Sequence, residues 1–125
     1  FSVSLYRSSE VTELLYQIAI SFKHFVTQNG SIPLLVMAPY LHEIEYLRRG
    51  EGYYQPLLER MNEKLLTLDL GNAVLSQNNP SSLFVSNLYG AHLSDKGNQF
   101  AAGALYEFIQ NNHMLHEDVA HTVKH

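Results

Sequence analysis

Apolar residues in the first part of the chain recur at helical spacing. From Glu10 to Gln28, Val11, Leu14, Leu15, Ile18, Phe22, Phe25 and Val26 stand three and four apart, which predicts an amphipathic helix. Ser9 is placed as its N-cap, and Asn29-Gly30 is a stop signal, because glycine accepts the left-handed conformation in which helices end. The period then changes. Ile32-Pro33-Leu34-Leu35-Val36-Met37-Ala38 is a continuous apolar run of strand length ending at Pro39, the pattern of a strand covered on both faces inside a parallel sheet.

Tyr40 to Gly52 is mixed, and Gly50 and Gly52 break it. Tyr53 to Lys64 predicts a second helix with Tyr54, Leu57, Leu58 and Met61 on one face; Pro56 fits its first turn, where a missing N–H costs little. Leu65 to Leu70 reads as a short strand closed by Gly71-Asn72. A polar, turn-rich segment from Ser76 to Ser82 precedes a small apolar run at Leu83 to Val85. The last helix runs from Ser94 or Asp95 to Asn111, with Phe100, Ala101, Ala104, Leu105, Phe108 and Ile109 on its apolar face.

This alternation predicts an α/β domain over residues 1–111 with a parallel sheet, followed by an appended tail over 112–125. Two well-patterned strands are fewer than the about five of an average sheet. Either the chain uses strands without a clear pattern, or the sheet continues outside it.

Composition narrows the class of protein. Hydrophobic residues make up 46% of the 125 and charged residues 16%, which sets the chain apart from disordered sequences and allows a core. The net charge is -4 and the eight Lys and Arg are scattered, so no footprint for nucleic acid or anionic lipid is present. Without cysteine there is no disulfide, thiolate metal site or cysteine nucleophile, and thiol usage leaves the compartment open. No apolar run approaches the roughly 20 residues of a membrane span. The chain begins at Phe1 rather than Met, which suggests a processed chain or a fragment.

In a parallel α/β sheet, chemistry collects beyond the carboxyl ends of the strands, where helix N-termini offer unpaired N–H groups. Two segments fall on that edge: Pro39-Tyr40-Leu41-His42-Glu43 after the first strand, and a turn at Tyr89-Gly90-Ala91-His92 before the last helix. His92 can serve as a general acid-base near neutral pH or stand as a polar loop residue. His42 and Glu43 could line a cleft, but Glu43, Glu45 and Arg48-Arg49 read more simply as a solvated helix face. His113, His116, His121 and His125 have no H-E-x-x-H arrangement and read as surface residues, so no metal is expected. Asn29-Gly30-Ser31 matches a glycosylation acceptor, although a helix stop explains it.

Gly90-Ala91-His92-Leu93-Ser94, followed by Lys96-Gly97-Asn98 and Phe100-Ala101-Ala102, resembles the C-terminal histidine block of the SGNH, or GDSL-type, serine hydrolases, roughly D-G-x-H-x-S-x-x-G-N. The order of elements from about residue 10 to 110 is similar to the second half of that fold. The resemblance implies a three-layer α/β/α, flavodoxin-like domain, incomplete on its N-terminal side. It implies hydrolysis of a lipid, carbohydrate or other small-molecule ester through an acyl-serine, without a cofactor, with His92 as the catalytic base.

Two departures shape this expectation. The family's acid stands three residues before the histidine, where this chain has Tyr89, which offers a hydrogen bond but no charge at neutral pH. The histidine would then be oriented by Tyr89, by a backbone carbonyl in a dyad, or by Asp69 at the end of its strand. The serine block and oxyanion donors belong upstream, and no G-x-S-x-G elbow is present. Of the serines nearest His92, Ser86 and Ser94, the latter reads as a helix N-cap. The expectation is therefore a hydrolase whose nucleophile lies in a missing N-terminal half. The alternative is a non-catalytic interaction module that has lost acid and nucleophile.

Overall fold

The computed structural model describes residues 2–87 and 90–114. Along them run α1 (Ser2–Leu5), α2 (Ser9–Gln28), β1 (Leu34–Met37), α3 (Leu41–Arg48), α4 (Gln55–Asn62), β2 (Leu66–Asp69), α5 (Leu70–Leu75), a 3-10 turn (Pro80–Leu83), β3 (Phe84–Asn87), β4 (Gly90–Leu93) and α6 (Asp95–Asn111). The chain is thus an α/β protein whose parallel sheet, among the described residues, has two strands. Residues 115–125 of the expected tail lie outside the described part.

The three helices with clear sequence signals form where expected. The N-cap of α2 is Ser8 rather than Ser9, its Oγ accepting the Val11 N–H at 3.4 Å. At the other end Gly30 takes φ +74°, and the N–H groups of Gly30 and Ser31 bond back to Thr27 and Val26. This is the double return bond that closes helices with a left-handed residue. Pro56 sits in the first turn of α4, and Ser94 caps α6 through the Gly97 N–H at 3.1 Å.

The mixed segment after Pro39 also folds as a helix, α3. Its inward face is Glu43, Ile44 and Leu47, so a carboxylate occupies a position where periodicity looks for an apolar residue. Gly50, at φ +81°, ends it by the same double bond, from Gly50 to Leu47 and from Glu51 to Tyr46.

β1 and β2 pair in parallel, Leu34 with Leu66 through Met37 with Asp69. The expectation of a β1 strand covered on both faces is not met. Its residues are half-buried and Val36 is 39% exposed, because β1 has one strand neighbour among the described residues and the core packs on its Leu35 and Met37 side. Gly71-Asn72 does not close β2 with a turn. The Asp69 carboxylate accepts the Asn72 N–H at 3.0 Å and starts α5 at once. Gly71 is needed there for space, since a Cβ would strike the Tyr54 hydroxyl and lie 2.8 Å from the Pro39 ring.

The segment expected as a turn before α6 is a strand over Gly90–Leu93. It pairs antiparallel with β3, Val85 opposite His92 and Phe84 opposite Leu93. Four residues that include a glycine carry no period of their own, and the pairing with β3 decides their conformation.

The core has two connected parts. Ile44, Leu47, Tyr54, Leu58, Leu70, Val74 and Leu83 form the larger, against which Phe100, Ala101 and Ala104 of α6 and Met37 of β1 pack. Ala19, Leu57, Met61 and Leu65 form the other, joining α2 and α4 to Leu35. No helix among the described residues is long and apolar enough to cross a membrane.

Candidate functional site

The register of β1 and β2 brings their carboxyl ends level, Met37 beside Asp69. Both chains leave the sheet there. Ala38, Pro39 and Tyr40 run from β1 into α3, and Leu70 and Val74 follow β2 in α5. These residues and the hairpin residues Phe84, His92 and Leu93 surround a cleft of about 270 Å³. The cleft therefore lies where ligands of open α/β sheets collect.

His92 stands in the wall of this cleft, on an exposed residue of β4. Its height is fixed from both sides. The β3 pairing holds it opposite Val85, and two residues later the Ser94 N–H bonds the Leu83 carbonyl at 2.9 Å. The Ser94 hydroxyl accepts from Gly97 N–H and donates to the Ser82 carbonyl at 3.2 Å, so it serves the helix cap. Gly97 lets α6 approach this closely, because a Cβ on it would enter the Leu83 carbonyl. The small residue of Lys96-Gly97-Asn98 thus has a steric cause. Ser86 lies in β3, paired with Ala91.

The residues considered for orienting the imidazole are placed differently. Asp69 sits at the same sheet edge, but its carboxylate is engaged: Oδ1 accepts from the Tyr54 hydroxyl at 2.7 Å and from Asn72 N–H, and Oδ2 from the Gln55 amide at 2.9 Å. None of these partners is His92, and among the described residues no carboxylate bonds its ring. Tyr89 lies outside the described residues.

Tyr40 was legible only as part of the segment after β1, and it forms one lip of the cleft. His42 stacks on it, the rings 6.1 Å apart and 7° from parallel, and is exposed outside the cleft. Glu43 corrects the expectation of a solvated helix face: it is 4% exposed, whereas Glu45, Arg48 and Arg49 are exposed. Its carboxylate accepts the Tyr40 N–H at 2.8 Å, fixing the first turn of α3 and so the Tyr40 lip. The phenols behind this edge are held protonated. Tyr53 and Tyr54 are pushed far above the usual tyrosine range, first by burial and then by the adjacent carboxylates Glu43 and Asp69. Burial and Glu43 also raise Tyr6.

Among the described residues no group of three or more His, Asp or Glu could hold a metal ion. His116, His121 and His125 lie outside them. What the arrangement offers is one imidazole at the rim of a mainly apolar cleft, suited to proton transfer on a bound group. Models of known families, curated proteins and solved structures return no match to this chain.

Proposed function

We propose that the chain is the C-terminal portion of an SGNH-type serine hydrolase that cleaves an ester, with His92 as its general base. One observation carries the reading. The histidine of the Gly90-to-Asn98 motif lies in the wall of a cleft at the carboxyl ends of two parallel strands, two residues before the N-cap of a helix. On this reading the sheet continues beyond β1 into a three-layer, flavodoxin-like domain, whose upstream part supplies the serine and the oxyanion donors.

His92 takes the proton of that serine hydroxyl as its oxygen attacks the ester carbonyl. The same proton passes to the oxygen of the departing alcohol and leaves an acyl-serine, which water then cleaves by the same steps in order. With Asp69 committed to Tyr54, Gln55 and the α5 cap, orientation of the imidazole falls to a backbone carbonyl or to Tyr89. The substrate is a small-molecule, lipid or carbohydrate ester.

Hydrolysis of p-nitrophenyl acetate by the full-length gene product tests the reading. His92→Ala is expected to lower kcat by about 10²- to 10⁴-fold, the usual share of a general base. Equal rates for the two proteins would overturn it. That no carboxylate bonds the His92 ring among the described residues favours a second reading, a non-catalytic interaction module. That reading requires the full-length protein to resist labelling by a serine-directed fluorophosphonate.

A further inference from the structure

We infer that the cleft beside His92 receives the alcohol side of the ester, and that this alcohol is a short hydrocarbon and not a sugar; the inference rests on the hydrolase reading above. The first half follows from the path of the proton. An imidazole that relays a proton from the nucleophile to the leaving oxygen must lie within hydrogen-bond reach of that oxygen. The group attached to the leaving oxygen therefore extends along the surface nearest the histidine. The acyl chain leaves the carbonyl carbon in another direction. The cavity that His92 itself lines is thus the one that the departing alcohol meets.

The second half follows from the walls. Beside His92, the lining is Leu70, Val74, Phe84 and Leu93, with Pro39 at the base of the Tyr40 lip. Val74 is 2% exposed, so the floor belongs to the packed core. Among the described residues, the side-chain hydrogen-bonding groups of the lining are the His92 ring and the Tyr40 hydroxyl. A sugar entering here would surrender water from several hydroxyls and regain few partners, whereas an alkyl group loses nothing. The volume of about 270 Å³ falls just under the range of about 300–1,000 Å³ of sites that take drug-sized ligands, which sets the size as short.

The test compares two substrate series with the full-length gene product: ethyl, butyl and octyl acetate, which lengthen the alcohol, and ethyl acetate, butyrate and octanoate, which lengthen the acid. Phe84→Ala and Leu93→Ala enlarge the cleft. Each is expected to raise kcat/KM for octyl relative to butyl acetate by about tenfold or more, the scale of methylene discrimination in apolar pockets, and to leave the acid series in its original order. Tyr40→Ala trims an exposed lip and is expected to act in the same direction, which keeps the test decisive if a core variant fails to fold. A change confined to the acid series, or faster cleavage of an acetylated methyl glycoside than of butyl acetate, would overturn the inference. So would unchanged selectivity in variants whose activity still depends on His92. If instead His92→Ala hydrolyses every ester as the parent does, the hydrolase reading fails and takes the inference with it.

Discussion

A carboxylate taken out of water costs free energy unless donors surround it, and buried Glu43 and half-buried Asp69 each have such donors. Glu43 has the Tyr40 N–H; Asp69 has the Tyr54 hydroxyl, the Gln55 amide and the Asn72 N–H. Tyr54 is 1% exposed, so its hydroxyl is a buried donor to the Asp69 carboxyl group. Tyr54→Phe is expected to cost about 1.5–3 kcal/mol in urea unfolding at pH 7. The pH dependence has a definite sign. Burial, and then Asp69, raise the Tyr54 pKa in the folded chain above the unfolded value near 10. The stability linked to this proton is therefore complete below about pH 10 and is lost as pH rises toward the folded pKa. The phenylalanine variant lacks that loss, so the gap between the two proteins should narrow by about 1.4 kcal/mol per pH unit above 10. A gap that stays constant to pH 11 would remove the phenol-carboxylate bond from the account.

At the scale of elements, Gly97 separates propensity from packing. Alanine in an open helix is favoured over glycine by about 1 kcal/mol, yet a Cβ here would enter the Leu83 carbonyl that also accepts the Ser94 N–H. Gly97→Ala is expected to destabilise by about 1–3 kcal/mol, read as a lower urea midpoint with unchanged slope. A higher midpoint would mean that α6 stands clear of the 3-10 turn. The same contrast explains what the sequence disclosed. α2, α4, α6 and the β1–β2 pair carry their own periodicity and were legible. α3 was legible only as a solvated helix face, with its inward side missed, and α5 and β4 were not legible, because each is decided by a partner distant in sequence or of the wrong polarity. Glu43 supplies one inward position of α3, the Asp69 cap turns a strand end into α5, and β3 extends Gly90–Leu93. The histidine was legible from its motif, whereas the cleft walls Val74 and Phe84 were not, since only tertiary packing brings α5 against the hairpin.

At the scale of the molecule, the apolar face of α2 is wider than the surface it covers. Leu15, Ala19 and Tyr16 pack toward α4 and Leu35, but Leu14, Ile18 and Phe25 are 60%, 57% and 68% exposed, with Phe22 beside them at 45%. α4 packs on β2, α2 packs alongside α4, and Leu35 of β1 joins the same cluster, while β1 and β2 each keep one open edge among the described residues. If the sheet continues upstream as proposed, Ile18 and Phe22 are interior in the full-length protein and solvent-facing in residues 1–125 alone. Ile18→Gln and Phe22→Gln keep good helix formers at both sites, so burial alone sets their cost. In the full-length protein each should lose about 1.5–3 kcal/mol, the transfer energy of a buried large side chain. In the isolated chain each should stay within about 0.5 kcal/mol, as surface substitutions do. Equal, small effects in both proteins would show that the stripe faces water in each.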